Sequence, residues 1–398
     1  MPIVCHLITA SNDPSHGGMQ ETVDRVATRL AAAGNITVIV YTSNPALQVP
    51  ETPYQVEDLS EEEQFLTSPL VEAARSQCVP FNGLSAESFQ VRRLLLKARI
   101  EAALDARPDD RHVLISFFLT KFGFTAQLIA KELGLPHVAC VAGSDLNRDV
   151  ASPSGMASAA FVIANAEWIV VRSHEQARRI ERLFDRSHNV SVYSGGLPAG
   201  RPKGIWERNG HEHVSLVSDC GYSFKKSTHT LVGAFRRLLT EGYPVTLRIV
   251  GQTPNRERTH WEAARREWKA EFGERASFCQ HVNKDEVECM LLHGGIYCSA
   301  SLGEGSPNGA LYALALGMPI VAPQSCSLED VSDLASDRVS LFRAGDRRDF
   351  YNRLAAMVAL VRGNLRPLDP QRIASIRRSL SEDESRKWLN VVRHAATA

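Results

Sequence analysis

The sequence lacks the features that mark membrane proteins, secreted proteins and nucleic-acid binders. No stretch of its 398 residues approaches the roughly 18–20 apolar residues that span a bilayer, so no membrane segment is clear. The start, residues 1–8, lacks the charged and apolar regions of a signal peptide and is predicted to be a strand. With 45 basic and 45 acidic residues the formal net charge is zero, and we expect no nucleic-acid partner.

Cysteine patterns and cofactor fingerprints are also missing. The eight cysteines are scattered, with no Cys-x-x-Cys pair and no Cys/His spacing suited to zinc, so no metal site is expected. Several lie in apolar runs, which favours a reduced, cytoplasmic protein. The absence of a Gly-x-Gly-x-x-Gly fingerprint weakens a nicotinamide dehydrogenase hypothesis. The sequence does not indicate an oligomeric state.

Short apolar runs alternate with amphipathic segments along the whole chain. Strands are predicted near 2–8, 36–41, 112–117, 137–142, 168–171, 190–193, 213–218, 245–250, 276–279, 295–298, 319–322 and 339–342. Helices are predicted near 19–33, 86–105, 121–133, 174–184, 226–240, 258–271, 283–292, 306–316, 346–362 and 371–396. Such alternation indicates parallel sheets covered on both faces, while segment 46–85 stays unassigned.

This alternation predicts an α/β protein of two Rossmann-like doubly wound domains facing a central cleft. The turn-rich stretch 195–211 marks the break between them. We therefore predict domains at 1–197 and 198–375, followed by a helical tail at 376–398 that can pack back on the first domain. Ligands of doubly wound sheets bind outside the carboxyl ends of the strands, so the loops after strands are the places to search.

The segment 299–322, SASLGEGSPNGALYALALGMPIVA, has the character of an anion site. A small-residue loop follows a strand, and a helix is predicted to begin among Gly305, Ser306, Pro307 and Asn308. Free backbone N–H groups and the positive end of the helix dipole would meet there. Glu304 can accept hydrogen bonds from sugar hydroxyls. Taken alone, the segment is equally compatible with an ordinary helix start and an exposed glutamate.

The whole stretch resembles the donor-site signature of the retaining family 4 glycosyltransferases, which have the GT-B fold. That signature is Glu-Gly-x-x-Asn/Gly, a second Glu eight residues after the first, then Gly-x-Pro-Val-Val. The resemblance implies that Glu304 contacts the donor sugar and that Gly305 to Gly309 line the donor site. At the second position, where the family's Glu holds the ribose hydroxyls, this chain has Tyr312. Tyrosine can offer one hydroxyl there or only pack.

A second matching segment, 213–251, runs through a strand, a loop with two lysines, a helix, a strand and a glycine. Paired lysines at a helix start oppose the dipole, so an anion partner would explain them, although a solvated helix start is the commoner case. The resemblance places Lys226 on the lysine that binds the donor diphosphate and Gly251 where the nucleotide passes the backbone. Gly221 stands where an Arg is common, and Lys225 is a candidate for the missing charge.

The N-terminal half offers two candidate loops. His16, Gly17 and Gly18 lie between the first strand and a helix, and they resemble the family's Gly-Gly loop, which faces donor phosphates and acceptor. The run Gly143-Ser144-Asp145-Leu-Asn-Arg148 resembles the Gly-Ser-Asp loop of many family members. We list Gly17 and Gly18 with the donor site and His16, Gly143, Ser144, Asp145 and Arg148 with the acceptor side. For Asp145 alone, capping of a turn is the competing interpretation.

The resemblance implies a metal-independent, retaining glycosyltransferase that needs no cofactor beyond a nucleoside diphosphate sugar as co-substrate. Lys226 and Glu304 are then the catalytic candidates. The acceptor, a small molecule or a saccharide, cannot be identified from the sequence. Two alternatives stay open: a GT-B pseudo-glycosyltransferase or epimerase acting on a nucleotide-linked sugar or cyclitol, and a degenerate module that only binds the nucleotide sugar.

Overall fold

A computed structural model describes most of the chain. The described residues are 1–9, 18–42, 53–58, 86–193, 195–197, 202–207, 212–280, 284–303, 307–324, 327–363 and 365–397. The candidate residues His16, Gly17, Glu304, Gly305 and Ser306 lie outside these ranges. The chain divides into two compact units. The first unit comprises Met1–Tyr193 and Asp383–Ala398, and the second unit comprises Ser194–Glu382.

The first unit is a parallel sheet covered by helices. Its strands are β1 (Ile3–Thr9), β2 (Ile36–Thr42), β3 (Gln55–Asp58), β4 (Arg111–Phe117), β5 (His137–Cys140), β6 (Trp168–Val171) and β7 (Val190–Val192). Its helices are α1 (Gly18–Ala31), α2 (Ala86–Ala106), α3 (Phe124–Leu133), α4 (Gly143–Asn147), α5 (Pro153–Asn165) and α6 (His174–Phe184). The described strands follow the order β3-β2-β1-β4-β5-β6-β7, so the direction of winding changes between β1 and β4.

The second unit repeats this architecture. Its strands are β8 (Val214–Ser218), β9 (Val245–Val250), β10 (Ala276–Cys279), β11 (Ile296–Cys298), β12 (Ile320–Pro323) and β13 (Val339–Phe342). Its helices are α7 (Thr228–Thr240), α8 (Arg258–Phe272), α9 (Lys284–Leu292), α10 (Asn308–Leu316), α11 (Ser327–Val331) and α12 (Arg347–Arg362). The described order is β10-β9-β8-β11-β12-β13, all parallel, with the change of winding between β8 and β11.

The last helix, α13 (Pro370–Ala395), contributes to both hydrophobic cores. Its first half adds Ile373, Ile376 and Leu380 to the core of the second unit. Its second half adds Trp388 and neighbouring apolar residues to the core of the first unit. There Glu384, which is fully buried, accepts a hydrogen bond of 2.8 Å from Nε of Arg25 on α1.

The prediction of two doubly wound α/β blocks is confirmed. The strands are short apolar runs because helices cover both faces of each sheet, as in β1, where all seven residues are buried. Four of these elements were not predicted: β3 in the unassigned segment, α5 between β5 and β6, and the short helices α4 and α11. Among the described helices, none is long and apolar enough to cross a membrane. None of the described cysteines forms a disulfide.

Candidate functional site

The candidate residues of the second unit lie where its sheet changes winding. Strands β8 and β11 are hydrogen-bonded neighbours, and the chain leaves their carboxyl ends toward α7 and α10. In doubly wound sheets this is the position at which ligands bind. The loop of Asp219–Ser227 follows β8, and the described residues Ser299–Gly303 follow β11.

The loop after β8, which we call the lysine loop, ends in a strained turn. Ser227 is the N-cap of α7 and has φ 51° and ψ 42°, in the left-handed region that favours glycine. The Ser227 hydroxyl bonds Thr230 Oγ1 at 2.8 Å, and the N–H of Lys226 donates to Ser223 Oγ at 3.1 Å. Lys225 is exposed and Lys226 is half-buried.

Aromatic contacts anchor the lysine loop to α8. The N–H of Phe224 donates to Glu257 Oε2 at 2.9 Å, and the same oxygen accepts from Trp261 Nε1 at 3.0 Å. Burial raises the pKa of Glu257, but these two hydrogen bonds and the neighbouring Arg256 together outweigh it and leave the pKa below its usual range. The Phe224 ring packs 5.3 Å from Trp261 and 4.9 Å from His260. The loop is therefore fixed from one side.

The loop after β11 also holds the lysine loop in place. The N–H of Leu302 donates to the carbonyl of Lys225 at 2.9 Å, and the Ser301 hydroxyl donates to the same carbonyl at 3.3 Å. The segment that leads into α10 is thus hydrogen-bonded to the loop that carries the two lysines. The structure therefore holds the backbone of Lys225 against Ser301 and Leu302, at the carboxyl ends of β8 and β11.

Helix α10 begins with Pro307 as its N-cap and Asn308 and Gly309 in its first turn. A proline side chain offers no hydrogen-bonding group, so the N-cap side chain does not satisfy the first-turn N–H groups. An anion near this end is favoured by the helix dipole.

A carboxylate that the sequence did not predict lies against this turn. A Cβ placed on Gly309 would meet Asp219 Oδ1 at 2.2 Å and Oδ2 at 2.3 Å, so the carboxylate contacts the helix where only glycine fits. Tyr297, fully buried on β11, donates to Asp219 Oδ1 at 2.6 Å. Burial, Asp219 and Cys220 hold the pKa of Tyr297 well above 10, so its hydroxyl remains a donor. Asp219 thus supports the first turn of α10.

Two glycines join the loops that follow β8 and β9. Gly221 has φ 70° and Gly251 has φ 125°. A Cβ on Gly251 would lie 2.7 Å from the Cα of Gly221, and one on Gly221 would lie 2.5 Å from the carbonyl oxygen of Gln252. The position where the resembling family often has arginine therefore has no room for a side chain in this backbone.

The Tyr312 hydroxyl is hydrogen-bonded to a carboxylate on the neighbouring helix. Its Oη donates to Oε2 of Glu288 on α9 at 2.7 Å. Oε1 of Glu288 accepts from the backbone N–H of Lys203 at 2.7 Å, and Glu288 is only 6% exposed. Glu288 therefore links α9 to Tyr312 on α10 and to the backbone at Lys203.

In the first unit, Gly143, Ser144 and Asp145 form the start of the short helix α4, after β5. Asp145 is fully buried, and its Oδ2 accepts from the N–H groups of Ala142 at 2.8 Å and Leu119 at 3.0 Å. Burial raises its pKa to about 7, against the effect of these hydrogen bonds. Asp145 therefore ties the loop after β4 to the loop after β5, in keeping with the capping interpretation.

The other two described candidates of this unit have simpler surroundings. Arg148 is exposed and its Nε pairs with Asp149 Oδ1 at 2.7 Å. Gly18 is the first residue of α1, immediately after the part of the Gly-Gly loop that is not described. Within the described ranges, no cluster of three His, Cys, Asp or Glu side chains is arranged to hold a metal ion.

Comparisons with known proteins agree with this architecture. Residues 17–196 match the family model "Glycosyl transferase 4-like domain", and residues 213–359 match "Glycosyl transferases group 1". The fold is similar to that of sucrose-phosphate synthase from Thermosynechococcus elongatus, with a TM-score of 0.68 and 16% identity over 100% of this chain and 98% of that one. The chain is a GT-B glycosyltransferase. A search of curated protein sequences gives no significant match.

Two further structures share the fold of this glycosyltransferase. Anabaena HepE in complex with UDP-glucose has a TM-score of 0.63 and 12% identity, covering 99% of this chain and 98% of that one. A trehalose-6-phosphate structure from E. coli, bound with UDP-2-fluoro glucose, has a TM-score of 0.68 and 11% identity, covering 99% of both chains. At these identities the likeness concerns the fold.

Proposed function

We propose that this glycosyltransferase moves a sugar from a nucleoside diphosphate sugar to a small-molecule or saccharide acceptor, with retention of anomeric configuration and without a metal ion. The observation that carries the proposal is the pair of hydrogen bonds from Leu302 and Ser301 to the carbonyl of Lys225. They hold the lysine loop beside the segment that begins α10. A cationic side chain and a helix N-terminus then act on the same diphosphate.

The reaction requires positive groups around the leaving nucleoside diphosphate. Departure of the nucleoside diphosphate leaves negative charge on its phosphates, while the sugar develops oxocarbenium-like charge. Lys226, with Lys225 beside it, and the first-turn N–H groups of α10 would stabilise the phosphate charge, each donor contributing about 3–4 kcal/mol in a dry site. Glu304 would orient the sugar, and the leaving phosphate would take the acceptor proton.

The nucleotide-sugar donor is supported by relatives of the same fold. Anabaena HepE binds UDP-glucose, and the E. coli trehalose-6-phosphate structure holds UDP-2-fluoro glucose. On the acceptor side we propose the loops of the first unit around Gly143, Ser144 and Arg148. Asp145 would act there by holding the loop, because its carboxylate is engaged with backbone N–H groups.

The deciding experiment compares Lys226→Ala with Lys269→Ala, a matched change at an exposed lysine of α8. Donor hydrolysis and transfer would be followed with UDP-, GDP- and dTDP-sugars. We expect turnover of Lys226→Ala to fall about 10²–10³-fold, the cost of one positioned charge-stabilising donor, with Lys269→Ala unchanged. Full turnover of Lys226→Ala would contradict the assignment of Lys226 to the donor phosphates.

The same assays separate the finer parts of the proposal. NMR of the product reports the anomeric configuration, and an inverted product would exclude retention. Activity that disappears in EDTA and returns with a divalent cation would exclude metal independence. Donor binding without turnover on any acceptor would favour a degenerate binding module. A product without a glycosidic bond would favour the pseudo-glycosyltransferase or epimerase alternative.

A further inference from the structure

A glutamate outside the lysine loop is hydrogen-bonded to the backbone of that loop. Glu257 is the N-cap of α8, in the turn that follows β9, and it is half-buried. Its Oε2 accepts from the N–H of Phe224 at 2.9 Å and from Trp261 Nε1 at 3.0 Å. Because Trp261 is fully buried in the core of the second unit, the oxygen that meets Phe224 is itself held in place.

The side chain of Phe224 contacts α8 as well. Its ring packs 5.3 Å from the ring of Trp261 and 4.9 Å from that of His260, yet 53% of the residue is exposed. A ring this exposed buries little apolar surface, so the hydrophobic effect holds it only weakly against α8. The hydrogen bond from Phe224 to Glu257 is therefore the directional contact between the lysine loop and α8.

We infer that Glu257 is a positioning residue for Lys226, acting through the N–H of Phe224 and not by contact with the donor. The inference rests on the proposed function, because it assumes that Lys226 meets the donor phosphates. Lys226 comes two residues after Phe224, and consecutive Cα atoms are about 3.8 Å apart. A displacement of Phe224 therefore reaches Lys226 over less than about 8 Å of chain.

The other contacts of the turn depend on the position of Phe224. The N–H of Lys226 donates to Ser223 Oγ at 3.1 Å, and the carbonyl of Lys225 accepts from the N–H of Leu302 at 2.9 Å. Ser223 and Lys225 are the direct neighbours of Phe224 in the chain. Release of the Phe224 N–H would therefore loosen the turn that carries both lysines.

A carboxylate suits this role because one ionised oxygen can accept both hydrogen bonds. Hydrogen bonds to a charged acceptor are roughly twice as strong as neutral ones. Glutamine in place of Glu257 keeps an acceptor oxygen for Phe224 and Trp261 and loses the charge, whereas alanine loses both hydrogen bonds. Since a misplacement of about 1 Å can cost about 10²-fold in rate, the alanine variant should be impaired in turnover.

The test is a double-mutant cycle on the full chain, read out as kcat and KM with the nucleotide sugar that the protein uses best. Glu257→Ala should lower kcat by about 10–100-fold, and Glu257→Gln should recover it to within about threefold of the unmodified chain. Glu262→Ala, at an exposed site on α8, should leave kcat unchanged. In a Lys226→Ala background, Glu257→Ala should lower kcat by no more than about twofold, because the group that it positions is gone.

Each outcome decides the inference. An equal loss of kcat from Glu257→Ala in both backgrounds overturns it and leaves the proposed function standing, and so does an unchanged kcat of Glu257→Ala. Should Glu257→Ala fail to fold, the same cycle is run with Glu257→Asp, which keeps the charge and withdraws the carboxylate from Phe224 by one methylene group. Full turnover of Lys226→Ala, or no turnover with any nucleotide sugar, overturns the proposed function as well.

Discussion

The contact between Gly309 and Asp219 predicts that Gly309→Ala destabilises the protein. Removal of the Asp219 carboxylate should reverse the sign of that effect. A methyl group on Gly309 would lie 2.2–2.3 Å from both carboxylate oxygens of Asp219, a distance that non-bonded atoms do not adopt. The carboxylate or the first turn of α10 must then move by about 1 Å to reach ordinary contact. Movement of Asp219 takes the acceptor from the buried Tyr297 hydroxyl, whose bond to it is 2.6 Å long.

The magnitudes can be worked out from these contacts. A buried hydroxyl left without its acceptor costs about 1–3 kcal/mol. Alanine in a helix gains at most about 1 kcal/mol over glycine, because glycine loses more backbone entropy. We therefore expect Gly309→Ala to lower the free energy of unfolding by about 1–2 kcal/mol. Nucleotide affinity should also fall, because a shift of this turn moves the first-turn N–H groups of α10.

A double-mutant cycle in urea tests this reasoning. In an Asp219→Ala background the obstructing carboxylate is gone, and Gly309→Ala should raise the free energy of unfolding by up to about 1 kcal/mol. The sign of the substitution therefore reverses between the two backgrounds. An equal effect of Gly309→Ala in both backgrounds, within about 0.5 kcal/mol, would refute the contact as the cause.

Three further predictions concern the first unit. Asp145→Asn should raise the free energy of unfolding at pH 8 by on the order of 4 kcal/mol and change it little at pH 4. Because the folded pKa of Asp145 is raised from 3.8 to about 7, its cost to stability grows as the pH rises through this range and is complete above pH 7. An equal gain in urea titrations at both pH values would contradict this. Burial lowers the pKa of His137 to about 3, so its contribution is complete above pH 6.5 and is lost by about 1.4 kcal/mol per pH unit as the pH falls toward 3. In thermal unfolding, His137→Asn should reduce this loss of stability at low pH. An unchanged dependence of stability on pH would contradict the role of His137. Glu384→Gln should cost about 3–5 kcal/mol because it leaves buried Arg25 without its carboxylate, whereas Glu382→Gln, at an exposed site, should be neutral. Equal stability of these two variants in urea would contradict a stabilising Arg25–Glu384 ion pair.

The fold was largely predictable because its strands are local apolar runs. The seven residues of β1 are apolar except for His6 and Thr9, and all are buried between two helical layers. Strand β3, Gln55–Asp58, has a polar sequence and was missed. Helix α5 was also missed, although Ser152 as N-cap and Pro153 in the first turn are local start signals for it.

Site residues could be predicted where a local sequence pattern marks them. They could not be predicted where a contact depends on which strands or helices are neighbours in the fold. Gly251 follows β9 directly and Lys226 lies in the loop between β8 and α7, so their place at the carboxyl end of the sheet can be read from the sequence. Asp219 meets Tyr297, 78 residues away, only because β8 and β11 are neighbours in the sheet. Glu288 likewise meets Tyr312 through the packing of two helices, and a helical glutamate gives no local sign of such a partner.

The most direct test of the central claim is a crystal structure of the full chain with the nucleoside diphosphate that binds it most tightly. The account predicts that the diphosphate lies within about 3 Å of Lys226 Nζ and of the first-turn N–H groups of α10. Phosphates bound away from both the lysine loop and the start of α10 would contradict it.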